Sequence, residues 1–277
     1  MGKLNIERIT IYAILMASSA VMLTPFAWMI SSSFKNEYEM FAYPPVWIPN
    51  PARWDNYTRA WNALPFTVFL RNTLFIIVGR LIGELLSCSL VAYGFARLRA
   101  RGKNVLFLLL LATMMLPGQV TMIPLYIGFS RLGWVDTFKP LIVPAFFGAA
   151  FYIFMLRQFF LNIPLELDEA AKIDGASHVR IWWNIFLPLA KPPLLAIAIF
   201  LFMGTWNDFM GPLIYLQSTE KFVLSIGLQL FRSYGEYATR WDLIMAASVA
   251  ISIPPLCVFF LSQKTFIRGV ALTGLKG

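Results

Sequence analysis

Residues 164–193 read PLELDEAAKIDGASHVRIWWNIFLPLAKPP, a segment with seven charged residues between two long hydrophobic stretches. Pro164 and the acidic residues after it fit the first turn of a helix. Gly175 is suited to the left-handed conformation that ends a helix, and Ser177 is a good N-cap for a second one. Pro188 and the prolines after it predict where that helix stops. Because charges at this density are expensive in hydrocarbon, we expect a rigid helix-turn-helix that faces water.

The rest of the chain has the composition of a membrane protein. Hydrophobic residues make up 58% of the 277 residues and charged residues only 13%. A helix needs about 20 apolar residues to cross a bilayer, and the chain contains six such stretches. We therefore predict an all-α integral membrane protein that forms a single domain over residues 1–277. The predicted spans are approximately 9–34, 68–97, 104–127, 138–160, 192–216 and 242–264.

The distribution of Lys and Arg predicts the orientation of these spans, because positively charged loops stay on the cytoplasmic side. One side would hold both termini and the loop 161–191, with thirteen basic and five acidic residues. The opposite side would hold eight basic and seven acidic residues. We therefore expect both termini and loop 161–191 to be cytoplasmic. The basic excess is spread over short loops between spans, so we expect no nucleic-acid partner.

The longest predicted external loop covers residues 35–66. It is interrupted by Pro44, Pro45, Pro49 and Pro51 and is rich in Trp and Tyr. Proline breaks regular structure, and the aromatic residues suit either the lipid headgroup zone or a protein contact. Two interpretations therefore remain open for this loop, an interfacial cap and a contact surface for an external partner.

Sites for enzymatic chemistry are not visible in the sequence. A phosphate-binding loop needs a glycine-rich turn that ends in Gly-Lys-Ser or Gly-Lys-Thr, whereas the available pairs are followed by Leu4 and Asn104. His178 is the only histidine, which excludes metal clusters built from several histidines, and the GxSxG motif of many serine hydrolases is absent. Cys88 and Cys257 both fall inside predicted spans and indicate no redox pair. We therefore expect no catalytic site, no metal site and no cofactor on this chain.

Four polar residues inside predicted spans are candidates for function, since intramembrane charges are costly. Arg80 and Glu84 are four residues apart on one helix face, and mutual neutralisation in a structural pair is favoured over a role in solute binding. Asp208 is sixteen residues after Pro192, which places it roughly 24 Å along its helix. Asn207 and Asp208 are therefore candidates for the outer part of a transport pathway or its gate.

The water-facing segment also resembles a known family motif. Glu169-Ala170-Ala171 is followed after three residues by Gly175, after nine more by Ile185, and then by Leu187-Pro188. This spacing resembles the EAA motif of ABC importer permeases, and the chain as a whole is similar to the carbohydrate importers of the maltose-permease group. Shorter matches to that group lie at Asn72 and at residues 92–97, 124–126, 132–137, 206–213 and 269–277.

The resemblance implies a type I ABC importer permease fold in the cytoplasmic (inner) membrane of a bacterium or archaeon. In such permeases the EAA loop forms a coupling helix that seats on a separate cytoplasmic ATPase, which binds ATP and Mg²⁺. The chain itself is then a transport subunit and no enzyme. The residues implied in ATPase coupling are Glu169, Ala170, Ala171, Asp174, Gly175 and Arg180.

The resemblance also implies partners. Six spans with one EAA loop supply half of a pathway, and the family implies that a different permease chain completes it. Two ATPase subunits, an extracytoplasmic solute-binding protein and membrane lipid complete the expected set. Asn207 and Asp208 would then contact either sugar hydroxyls or the second permease. A secondary transporter or channel subunit is the alternative function, and a membrane enzyme or scaffold is the third class.

Overall fold

The computed structural model describes residues 6–231 and 240–274, and within these ranges every regular element is helical. The long apolar stretches form the longest helices, as expected where no water is present to bind backbone polar groups. Short helices lie in the connections. The α-helices are α1 (Ile6–Ser33), α2 (Glu37–Met40), α3 (Asp55–Ala63), α4 (Phe66–Arg97), α5 (Lys103–Ala112), α6 (Gly118–Arg131), α7 (Lys139–Ile142), α8 (Ala150–Leu161), α9 (Glu166–Ile173), α10 (His178–Ile181), α11 (Leu187–Leu189), α12 (Lys191–Trp206), α13 (Met210–Tyr215), α14 (Leu224–Phe231) and α15 (Trp241–Gly274).

Four helical segments of the described chain are long and apolar enough to cross a bilayer as single units. Two further pairs of helices are apolar enough but are bent by more than 40° at a short break. The number of candidate spans is therefore four, or up to six when each bent pair is counted as one crossing. The four single segments are Arg8–Ser33, Phe66–Arg97, Lys139–Leu161 and Trp241–Gln263.

The third predicted span, 104–127, is not one continuous helix. Helix α5 passes into a 3₁₀ turn at Thr113–Met115, and α6 starts at Gly118 in a direction that differs by 99°. Pro117 explains the break because proline has no backbone N–H and disfavours helical backbone in the residue before it. Leu116 accordingly has the extended ψ of 116°.

The fifth predicted span, 192–216, is also interrupted. Helix α12 ends at Trp206, and a separate short helix, α13, follows from Met210. The two polar residues between them bond to the ends of these helices: Asn207 Nδ2 donates to Met203 O at 2.8 Å, and Asp208 Oδ1 accepts from Gly211 N at 3.0 Å. These residues thus satisfy backbone groups that a helix end leaves unpaired.

The contacts divide the described chain into two compact units. The first comprises residues 6–67, 227–231 and 240–254, and its loop after α1 is built around buried polar groups. The Lys35 side chain is fully buried, and its Nζ lies 3.5 Å from the centre of the Trp28 ring. Asn56 Nδ2 donates to the carbonyl oxygens of Ser33 and Lys35. Burial lowers the pKa of Lys35, partly opposed by the charge of Glu39.

Large side chains on this loop are exposed, with Tyr43 at 96% and Tyr38 at 89%. Both hypotheses for the loop, the interfacial cap and the contact surface, depend on such exposed apolar side chains, so the choice between them stays open. The other large exposed side chains of the loop are Phe41, Trp47, Ile48 and Trp54.

The second unit comprises residues 68–226 and 255–274, and its main core lies where α4, α8 and the segment 181–201 pack together. Large apolar side chains fill this core, and their close van der Waals packing holds the helices together where lipid supplies no hydrophobic driving force. The fully buried members of the cluster include Leu156, Phe160, Ile181, Phe186 and Ile197.

Asp136 joins two loops of the second unit, the loop after α6 and the loop after α13. Its backbone has a positive φ of 58°, and its carboxylate accepts from Gln217 N at 3.0 Å and from Ser218 N at 2.9 Å. The Ser218 hydroxyl also donates to it, and Lys221 Nζ lies 2.9 Å away. These hydrogen bonds, the Ser218 bonds first, lower the pKa of Asp136.

Helix α4 approaches its neighbour closely at Gly79. A Cβ atom added there would lie 2.8 Å from Ile142 Cγ2, whereas one added at Gly94 in the same helix would have nothing within 4 Å. We expect Gly79→Ala to destabilise the protein by about 1–3 kcal/mol because the packed Ile142 must move. Gly94→Ala should be neutral or slightly stabilising. Thermal melting of the two variants in detergent tests this contrast, and equal melting temperatures would contradict it.

Candidate functional site

The predicted water-facing segment begins with helix α9, which ends as the sequence indicates. Gly175 has a φ of +76°, and its N–H donates to Lys172 O at 3.0 Å. The next N–H, of Ala176, donates to Ala171 O at 2.9 Å. This pair of bonds is the Schellman arrangement, which ties the last carbonyl groups of the helix into the turn. The prediction of a left-handed helix end at Gly175 is confirmed.

The second half of the segment starts at the predicted cap. Ser177 Oγ accepts from Arg180 N at 3.3 Å, and α10 follows directly. The helix does not stop at Pro188 as predicted, because a π turn over Trp182–Phe186 precedes the proline and α11 contains it. Proline has no backbone N–H to donate to the carbonyl group four residues earlier, and the wider hydrogen-bond spacing of the π turn accommodates this loss. The chain then turns by 78° into α12.

A buried ion pair connects this segment to the end of α4. Arg97 Nε lies 3.4 Å from Asp168 Oδ2, and the two side chains are only 4% and 5% exposed. Arg97 Nη2 also donates to Phe160 O at 2.7 Å and to Ile163 O. The guanidinium therefore binds both α9 and the end of α8. Burial raises the pKa of Asp168, and the charge of Arg97 opposes that rise.

A second contact joins α4 to α10. Tyr93 Oη lies 3.3 Å from His178 Nδ1, and the Tyr93 ring packs edge-on against Phe186 at 4.9 Å. Tyr93 is one helical turn before Arg97, so both side chains lie on the same face of α4. One face of α4 thus holds both helices of the water-facing segment. Sequence reasoning missed this attachment, although Tyr93 and Arg97 both lie in the stretch 92–97 that matches the family.

The outer face of the segment carries most of the residues that the resemblance implied. Ala171 is the exception, since it is 9% exposed and belongs to the core cluster. It supports the segment from within and is not available to a partner. Four exposed apolar side chains, absent from the prediction, lie among the polar ones: Ile173 at 86%, Val179 at 64%, Leu165 at 61% and Leu167 at 41%. The exposed predicted residues are Glu169, Ala170, Asp174, Gly175 and Arg180.

Arg80 makes its ion pair with a residue outside α4. Arg80 Nη1 lies 3.9 Å from Asp208 Oδ2, so its ion-pair partner is on the α12–α13 break and is not Glu84. Glu84 is 4% exposed, and the Cys88 thiol lies 3.9 Å from its Oε1. Glu84 is not among the carboxylates within 4.0 Å of Arg80 in the described residues, and the mutual neutralisation of Arg80 and Glu84 stays a prediction. The long Arg80 side chain reaches the fixed carboxylate of Asp208, which the spacing along α4 does not reveal.

The candidate pathway residues differ in how they are held. Asp208 is half-buried, and its carbonyl accepts from Ser225 Oγ at 2.7 Å in addition to its side-chain contacts. A small cleft is lined by Asp208 together with Thr73, Thr205 and Trp206. Asn207 is exposed, with its amide bonded to the end of α12. Their roles in a pathway or gate stay predictions.

The fold and this site define a class of protein. The chain is a multi-pass helical membrane protein in which a rigid, charged helix-turn-helix is attached to the long helix α4. The family model for the binding-protein-dependent transport system inner membrane component matches residues 86–271. A probable ABC transporter permease of Pyrococcus horikoshii is 38% identical over 218 residues, which is 78% of each chain. The diacetylchitobiose uptake system permease protein NgcG of Streptomyces coelicolor is 30% identical over 94% of this chain and 86% of its own.

A solved structure shows the same fold. In the crystal structure of a bacterial ABC transporter involved in the import of the acidic polysaccharide alginate, one chain superposes with a TM-score of 0.83 at 25% identity. The match covers 95% of this chain and 99% of that chain. The present chain belongs to the binding-protein-dependent transport system inner membrane component family. It is a permease subunit of an ABC importer, and the predicted family and fold are confirmed.

The Arg97–Asp168 pair gives a testable prediction about stability. Arg97→Gln leaves the buried Asp168 carboxylate without its counter-charge, which should cost about 3–5 kcal/mol. Arg97→Gln combined with Asp168→Asn should be less destabilised than the single Arg97 variant, because both buried charges are then removed. Unfolding of the wild type, both single variants and the double variant measures the coupling energy. Additive effects would show that the two side chains do not stabilise each other.

Proposed function

We propose that this chain forms half of the transmembrane pathway of an importer for a sugar or a related solute. The support for the solute class is that NgcG is named for diacetylchitobiose uptake and the matched crystal structure for alginate import. A second permease, a different chain in our proposal, supplies the other half. An extracytoplasmic binding protein delivers the solute. ATP and Mg²⁺ are bound by two cytoplasmic ATPase subunits, not by this chain.

We further propose that the exposed face of residues 165–180 docks on one of these ATPase subunits. The observation that carries this proposal is the combination of exposure and anchoring in one short segment. Ile173 and Val179 present apolar surface among charged neighbours, which is typical of a protein contact. Asp168 and Ala171 on the opposite side are buried. A partner that moves the outer face must therefore move the core behind it.

The segment has two routes for transmitting such a movement. The first is non-covalent: Asp168 holds Arg97 and thus the end of α4. The second is covalent, since α10, the π turn and α11 lead directly into α12. Both α4 and α12 then change position together when the ATPase subunits close. Arg80 and Asp208 join the same two parts of the chain farther from the segment, so the movement reaches the candidate gate.

Docking on the ATPase predicts a specific loss of binding. Ile173→Asp replaces the most exposed apolar side chain of the face with a charge, and retention of the ATPase on the purified permease should fall about tenfold or more. Leu132→Asp is the matched control, because Leu132 is equally apolar and 62% exposed but lies in the loop after α6. The thermal stability of both variants is measured in parallel. Equal ATPase retention by the two variants would contradict the docking face.

The energy source separates an ABC importer from a secondary transporter. Proteoliposomes with the complete complex, the binding protein and a labelled sugar should accumulate solute only when ATP is enclosed with the ATPase. Uptake should continue when the proton gradient is collapsed. Accumulation that needs the gradient and not ATP would overturn the proposed function and favour the secondary transporter.

A further inference from the structure

The turn between α4 and α5 is basic and has no acidic residue near it in sequence. Arg99 and Arg101 are exposed, and Lys103 Nζ donates to Leu98 O at 2.8 Å, which closes the turn. No acidic residue occurs between Glu84 and Asp136. Arg97 is not counted among these cations, because its guanidinium already contacts Asp168 and backbone carbonyl groups. The neighbouring sequence therefore offers no acidic residue to pair with Arg99, Arg101 or Lys103.

A further cation comes from α8. Arg157 Cζ lies 4.1 Å from the centre of the Phe107 ring, and Phe107 is one turn after Lys103 on α5. Helix positions four residues apart share a face, so Arg157 stands on the same side of α5 as Lys103. Arg157 as a whole is partly exposed, although its Nε is buried and has no hydrogen-bond partner among the described residues. Within those residues, no carboxylate lies within 4.0 Å of its guanidinium nitrogens.

The surface beside these cations is apolar. Helix α5 exposes large side chains from the second residue after Lys103 onward, and the described chain does not cover them. An arginine without a carboxylate partner at the edge of such a surface favours an anion that tolerates hydrocarbon next to it. A phosphodiester with acyl chains satisfies both requirements, whereas a free phosphate ion satisfies only the first. The exposed side chains are Val105, Leu106, Leu108 and Leu109.

We propose that the α4–α5 turn and Arg157 bind the headgroup of an anionic phospholipid, with its acyl chains along α5. The lipid phosphate pairs with Arg157 and with the exposed arginines of the turn, because guanidinium groups bind phosphate oxygens in a planar fork. Leu106 and Leu109 contact the chains. This lipid lies beside α4, the helix that holds the water-facing segment.

Native mass spectrometry of the purified, delipidated transporter complex tests this site. Dioleoylphosphatidylglycerol is titrated against dioleoylphosphatidylcholine for the wild type, Arg157→Gln, Arg101→Gln and Arg131→Gln. Arg131 is an exposed arginine at the end of α6 and serves as the matched control. We expect affinity for phosphatidylglycerol to fall about fivefold for each basic residue removed from the site and to stay unchanged for Arg131→Gln. Arg157→Lys, which keeps the charge, should lose less than Arg157→Gln.

Several outcomes would overturn the proposal. Equal losses in Arg157→Gln and Arg131→Gln would show a non-specific charge effect. Displacement of bound lipid by inorganic phosphate at millimolar concentration would identify a free anion site. Loss of the ATPase from Arg101→Gln with unchanged lipid binding would show that the turn contacts protein instead. Arg101 is exposed, so this variant is expected to fold even if Arg157→Gln does not.

Discussion

The buried pair of Arg97 and Asp168 is the constraint on which the water-facing segment depends. An ion pair removed from water is stabilising only when its geometry and its additional hydrogen bonds offset the lost hydration. Arg97 meets this condition in part, since its Nη2 donates to the carbonyl groups of Phe160 and Ile163, whereas its Nε and the Oδ1 atom of Asp168 are buried without a hydrogen-bond partner among the described residues. The same guanidinium therefore fixes the positions of α4, α8 and α9. The segment can be short and highly charged because its inner side is attached so firmly.

A second arginine of α4, Arg80, also makes an ion pair and lies nearer the start of the helix. Arg80 and Arg97 are seventeen residues apart, about 26 Å in a helix. Each makes an ion pair with a residue outside α12 on one side of it in sequence: Asp168 lies on α9, well before α12, and Asp208 lies directly after α12. The two contacts differ, since the first is buried and the second is long and partly exposed.

Local features of the segment were predictable because they depend on near neighbours. The positive φ of Gly175 and the cap at Ser177 follow from the conformational preferences of those residues. The partner of Arg80 was not predictable, because helix spacing identified Glu84 and gave no access to distant Asp208. The attachment of Asp168 to Arg97 was missed for the same reason. Hydropathy located the third span but did not show that Leu116 and Pro117 interrupt it, since apolar content says nothing about helix continuity.

The π turn at Trp182–Phe186 has a consequence for how this chain tolerates change in length. It accommodates one more residue than a regular helical turn, and both Trp182 and Phe186 lie in the core. Removing one residue there would allow an ordinary helical turn, and the helix on either side would keep nearly the same phase because the extra residue is absorbed within the turn. His178 would then stay beside Tyr93, and Ile181 would stay in the core. Removing one residue from the regular helix α10 would instead rotate the preceding part of the water-facing segment by about 100° relative to α12. The irregular turn is thus the place between the water-facing segment and α12 where the chain can lose a residue without losing its contacts.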